Sequence, residues 1–111
     1  MNYKTSVLRF PKDVATAAEL IRQGECVALK TETVYGLAAD ATNEDAIGRV
    51  FEAKGRPADN PLIVHIESVD DMSHWAKDIP DIAYKLADVF WPGPLSLLLK
   101  KQHWVSDKVT G

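Results

Sequence analysis

Cysteine is nearly absent from this sequence. The single one, Cys26, cannot close an internal disulfide, so packing must hold the fold. Long hydrophobic runs are missing too. Stretches such as residues 95–99 are far too short to span a bilayer. The first ten residues, MNYKTSVLRF, lack the apolar stretch and small-residue cleavage site of a secretory signal. A cytoplasmic location with no membrane attachment is the default expectation. Cysteines, histidines and carboxylates nowhere fall at metal-ligand spacing, so no metal site is expected. The glycine spacing of a Walker phosphate loop is absent. Positive charge is not in excess either. The net charge is −3, which does not advertise a nucleic-acid binder.

What is present describes a globular chain. Apolar residues make up 46% and charged residues 26% of 111 positions, enough for one domain with a hydrophobic core. The acidity is local. Residues 67–88 hold six acids (Glu67, Asp70, Asp71, Asp78, Asp81, Asp88) against two bases (Lys77, Lys85). That pattern suits a solvated helical face and leaves the remainder free to meet an anionic ligand.

Periodicity places the elements. Asp13 can cap a helix whose inner stripe is Val14, Ala17, Ala18 and Ile21, with Gly24 as its stop. Residues 26–29 suit a short buried strand. Residues 31–41, rich in hydroxyls and small side chains, read as strand end and loop. Thr42 or Asn43 can cap a helix running to Lys54 with Ala46, Ile47, Val50 and Phe51 inward, ended by Gly55 and Pro57. Residues 61–66 (PLIVHI) are a second strand. Ser68 and Asp71 resemble a capping box for a helix carrying Val69, Met72, Trp75 and Ala76. A further helix over residues 81–90 closes at the turn Trp91-Pro92-Gly93-Pro94, and residues 95–100 form a third strand. The alternation predicts an α/β domain. Three strands leave sheet edges open, which suggests part of a larger unit.

Chemistry concentrates between Thr31 and His65. In residues 54–61 (KGRPADNP), two cations flank a glycine at a helix end, and Pro57 and Pro61 stiffen the turn beyond it. Arg56 offers a planar fork for phosphate oxygens, Lys54 a movable point charge, and Asn60 a neutral donor and acceptor. Such a turn could clamp a polyphosphate. The bland alternative, with Lys54 complementing the helix dipole and Arg56 merely solvated, is favoured by spacing alone. In residues 31–37 (TETVYGL), an extended backbone would set Thr31, Thr33 and Tyr35 on one hydroxyl-lined face. Ordinary β-propensity explains the same pattern. Glu32 is the one acid there, and its role is open. In 61–66, Leu62, Val64 and Ile66 share one face, and Ile63 and His65 the other. A histidine in such a strand is more often a core residue than a ligand contact. Cys26, Trp75, Phe90 and Trp91 read as packing residues.

Three blocks, TETVYGLAADA (31–41), FEAKGRPADNPLIVHI (51–66) and WPGPLSLLLK (91–100), together resemble the YrdC/YwlC family of threonylcarbamoyl-AMP synthases in sequence, order and separation. The resemblance implies a twisted, mixed α/β sheet with flanking helices and a central cavity. It would be incomplete here, residues 1–111 forming the N-terminal part of a single domain. It implies synthesis of threonylcarbamoyl-AMP and pyrophosphate from L-threonine, bicarbonate and ATP, with Mg²⁺. The product goes to a tRNA-modifying threonylcarbamoyl transferase complex. Lys54 and Arg56 match the family's Lys-x-Arg motif and are the expected catalytic residues, contacting ATP together with Asn60. Thr33 and His65 match positions that hold L-threonine. The chain departs from the pattern at Lys30, where proline is common, and at Ala38, where glycine is frequent. It also has no counterpart of the later Ser-x-Asn motif or substrate-binding arginine. Two other roles are compatible with the resemblance. One is an RNA-binding module, on tRNA or double-stranded RNA, or a carbamoyl-transfer module. The other is a truncated fragment inactive by itself.

Overall fold

The computed structural model describes residues 5–57 and 60–111. Ala58 and Asp59 of the basic turn, and the first four residues, lie outside the described set. Helix α1 (Val14–Arg22) is followed by strands β1 (Val27–Lys30) and β2 (Tyr35–Ala38), then helix α2 (Glu44–Lys54). A 3-10 turn (Val69–Asp71) leads into the short helix α3 (Met72–Trp75) and strand β3 (Ala76–Lys77). Helix α4 (Asp81–Phe90), strand β4 (Lys100–Lys101) and helix α5 (Asp107–Thr110) complete the order. Among these residues no helix is long and apolar enough to cross a membrane.

Helix α2 organises the fold. The Asn43 side chain accepts a hydrogen bond from the Ala46 N–H at 3.1 Å, satisfying an otherwise orphaned donor. Glu44 and Asp45 place negative charge at its positive end. Its inner face buries Ala46, Ile47, Val50 and Phe51, the four residues its periodicity marks. Ile47 and Phe51 join Val105 and Val109 of the C-terminal segment, with Leu62, Val64 and Trp75 packed alongside. Burial of each large side chain in such a cluster contributes about 1.5–3 kcal/mol. Gly55 ends α2 in the left-handed region, φ 62°, and the Arg56 N–H reaches back to the Phe51 carbonyl at 3.2 Å. Nothing lies within 4 Å of where a Cβ on Gly55 would stand. Gly55→Ala is therefore expected to cost about 1 kcal/mol through backbone strain alone, with no steric clash. Urea unfolding checks this, and an unchanged midpoint would contradict it.

A second cluster is separate. Met72, Ala83 and Ala87 form it, with Ile66, Ile79, Trp91, Leu97 and Leu99 packed against them. Small alanines on the inner stripe of α4 let that helix approach closely. Its outer stripe leaves Ile82, Val89 and Phe90 exposed, so Phe90 is not the packing residue expected. The Trp91 indole N–H donates to the Leu95 carbonyl at 2.8 Å and closes the turn beyond α4. Glycine is required in that turn. A Cβ on Gly93 would stand 2.5 Å from the Phe90 carbonyl oxygen. Near α3, Gln102 donates its side-chain amide to the carbonyls of Ser73 and Ala76, both at 3.0 Å, which seats β4 beside β3.

The structure is mixed α/β, as expected, but its strands differ in detail. β1 and β2 form an antiparallel hairpin with Lys30 opposite Tyr35 and Val27 opposite Ala38. β3 and β4 form a second, two-residue antiparallel ribbon. Residues 31–34 are thus the hairpin loop, not a continuous strand face, so Thr31, Thr33 and Tyr35 do not share one extended side. Residues 61–66 and 94–99 alternate exposed and half-buried positions as strands do, yet no sheet ladder pairs them among the described residues. Their side chains carry the period-two signal, but regular pairing needs a neighbouring strand at the right distance. The helix expected after Ser68 is shorter than its pattern. Ser68 Oγ accepts from the Asp70 N–H at 3.1 Å rather than boxing with Asp71, and Ala76 enters β3. The Asp13 carboxylate likewise accepts from the Arg9 N–H at 2.7 Å instead of capping α1.

Candidate functional site

A cleft of about 1050 Å³ opens between the β1–β2 loop, residues 61–69 and the turn after α4. Each wall follows from local sequence. The loop wall is held by Thr31. Its Oγ1 accepts from the Thr33 N–H at 3.3 Å and the Val34 N–H at 3.2 Å, and donates to the Val34 carbonyl. The Thr31 N–H also donates to that carbonyl at 3.3 Å. Glu32 and Thr33 are left exposed at the tip, and both line the cleft. The second wall is the extended segment 61–66. Leu62 and Val64 anchor it in the α2 cluster and Ile66 in the α4 cluster. This anchoring leaves Ile63 and His65 on the exposed face, as period two predicts. His65 lines the cleft. Trp91 and Leu97 form part of the third wall.

Thr33 and His65, which the resemblance pairs on L-threonine, both line this cleft, from different segments. Lys54, Arg56 and Asn60 do not line it. They belong to the chain connection from α2 to the His65 segment, whose first residue, Pro61, lines the cleft. Lys54 is exposed on the last turn of α2, and Arg56 and Asn60 are half-buried. The Asn60 N–H closes the turn on the Pro57 carbonyl at 3.1 Å. Neither Lys54 nor Arg56 has an ion-pair partner among the described residues. The described residues also bring no three acidic, histidine or cysteine side chains together around a metal position.

Sequence reasoning passed over Thr31 as an architectural residue. Its signal was available in principle. A threonine that opens a four-residue loop can satisfy amides two and three positions on. Cys26 stands apart from the site. Its Sγ lies 3.9 Å from the Ala46 carbonyl, and burial pushes the thiol above its ordinary range, Arg49 opposing and Glu25 adding to the shift. That is the environment of a half-buried structural thiol, not of an activated one.

Residues 19–111 match a family profile described as "Telomere recombination", the Sua5_yciO_yrdC family. The threonylcarbamoyl-AMP synthase of Pyrococcus abyssi is 55% identical over 98 residues, covering 88% of this chain and 29% of that protein. The Bacillus subtilis enzyme of the same name is 49% identical over 98 residues, covering 87% and 28%. The crystal structure of P. abyssi Sua5 complexed with L-threonine superposes with a TM-score of 0.83 at 56% identity, covering 86% of this chain and 28% of that one. The chain therefore spans less than a third of the length of these relatives.

Proposed function

The chain belongs to the Sua5/YciO/YrdC family, and on that premise we propose that the protein carrying it is an L-threonylcarbamoyladenylate synthase, a nucleotidyltransferase. The observation that supports the reading best is that Thr33 and His65 line one cleft, and that the cleft-lining segment 61–66 follows in the chain on the turn that carries Lys54 and Arg56. The relative with bound L-threonine supports threonine as the amino acid that enters.

The chemistry explains the residue types. The amine of L-threonine condenses with bicarbonate, losing water, to give a carbamate. A carbamate oxygen attacks the α-phosphate of ATP, the bond to the β-phosphate oxygen breaks, and pyrophosphate leaves. Carbamate, triphosphate and amino-acid carboxylate are all anionic, so the transition state gathers negative charge. In this reading Lys54 and Arg56 offset that charge on the triphosphate, Arg56 with two parallel N–H donors. Asn60 adds a neutral contact to ATP. The Thr33 hydroxyl and the His65 imidazole hold L-threonine at the cleft. Positioning and charge stabilisation carry the rate, with no covalent enzyme intermediate. Mg²⁺, when bound, supplies further charge neutralisation on the phosphates.

The product is a mixed anhydride that serves as an activated carbamoyl donor. We propose that a threonylcarbamoyl transferase complex consumes it to modify tRNA, and that the reaction takes place in the cytoplasm. We also propose that these 111 residues form part of a single domain. They contain no Ser-x-Asn motif to complete the ATP site and are not expected to turn over by themselves. The test is pyrophosphate release by the full natural polypeptide that includes this sequence, assayed with threonine and bicarbonate each present or withheld. Release is expected only when both are present. Salt-sensitive RNA binding with no threonine-dependent release would overturn the proposal in favour of an RNA-binding role.

A further inference from the structure

We propose that Thr31 is a positioning residue for L-threonine, acting through the loop that presents Thr33. The proposal rests on the reading of Thr33 as a threonine contact. Its own basis is the division of labour within residues 31–34. Thr31 Oγ1 is fully engaged, accepting from the Thr33 and Val34 N–H groups and donating to the Val34 carbonyl. The second branch of the same side chain faces the other strand. Its Cγ2 lies 3.8 Å from where a Cβ on Gly36 would stand. One hydroxyl residue thus clamps the loop from within, with its methyl turned toward Gly36 of the other strand. Thr33, by contrast, contributes only its backbone N–H to this network. Its hydroxyl has no hydrogen-bond partner among the described residues and stands exposed on the cleft.

The loop needs such a clamp. Residues 31–34 contain no glycine, asparagine or proline, the residues that usually stabilise hairpin loops through backbone preference. Thr31 replaces that preference with side-chain hydrogen bonds to main-chain amides. Without the hydroxyl, two amides lose their partner, the loop samples other conformations, and the Thr33 hydroxyl is no longer held at one place. Displacement of a contact group by about 1 Å can cost on the order of 10² in rate.

The test uses the full natural polypeptide and three variants. Thr31→Val keeps the shape and removes the hydroxyl, Thr31→Ala removes both branches, and Thr31→Ser restores the hydroxyl alone. Val and Ala are expected to raise KM for threonine roughly 10-fold or more while leaving KM for ATP nearly unchanged, and Ser to recover most of the loss. A purely structural role would move both KM values together with the melting temperature. Amide hydrogen exchange at Thr33 and Val34 provides a readout independent of turnover, with faster exchange expected in Val and Ala and protection in Ser. Unchanged exchange in Val and Ala would sink the clamp itself. Faster exchange with an unchanged threonine KM would sink the link to substrate. If the unaltered protein gives no threonine-dependent pyrophosphate release, the enzymatic reading fails and the positioning role falls with it. If Val does not fold, Ala and Ser still decide the matter.

Discussion

Replacing Lys54 with alanine, and Arg56 with alanine in a separate variant, is expected to lower threonine- and bicarbonate-dependent pyrophosphate release by roughly 10²-fold or more in each case. Neither cation has an ion-pair partner among the described residues, and the turn that carries them leads into the cleft-lining segment 61–66. Lys54 is exposed at the end of α2, and folding should survive its removal. Arg56 is half-buried, so its alanine variant needs a melting curve as a control. The two should differ in how a conservative change rescues them. Arg56→Lys keeps the charge but loses the planar fork, and should recover only part of the rate. A loss confined to KM for ATP, with kcat untouched, would mean that the cations bind ground state and transition state equally. Unchanged rates in both variants would remove the basic turn from the mechanism altogether.

The second large effect is on stability. Phe51→Ala is expected to destabilise the protein by about 3–5 kcal/mol, measured by urea or guanidinium unfolding. Phe51 is 8% exposed and meets Ile47, Val105 and Val109 in the α2 cluster. A small domain has only about 5–15 kcal/mol to lose, so this single truncation consumes much of its margin. The Phe51 main-chain carbonyl receives the Arg56 N–H across the end of α2, a bond that alanine keeps, so the loss is expected in packing and not in that contact. Stability unchanged within about 1 kcal/mol would show that the cluster is not the main core.

Helix α2 was legible in the sequence because everything that defines it is local: the Asn43 cap, the 3.6-residue stripe and the stop at Gly55. Residues 61–66 were half legible. Their alternation correctly separated Leu62, Val64 and Ile66 from Ile63 and His65, since side-chain direction is a property of one extended segment. Their pairing was not legible, because a ladder depends on a second segment that alternation does not identify. Residues 31–41 read as strand end and loop, and 31–34 are that loop, but the extended face drawn through Thr31, Thr33 and Tyr35 is absent because Tyr35 already begins β2 on the far side of the turn. Lys54, Arg56 and Asn60 drew attention through charge and composition. Short spacing arguments favoured a solvated role, and only the resemblance of the longer blocks assigned them to ATP.

The two hydrophobic clusters share no buried member, and residues 61–66 fasten to both. That segment works as a splice between two packing units, with Val64 seated in one, Ile66 in the other and His65 at the join. A change of packing in either unit is expected to reach the imidazole through its two neighbours in the chain, and a molecule that fixes His65 is expected to steady the segment that fastens to both units.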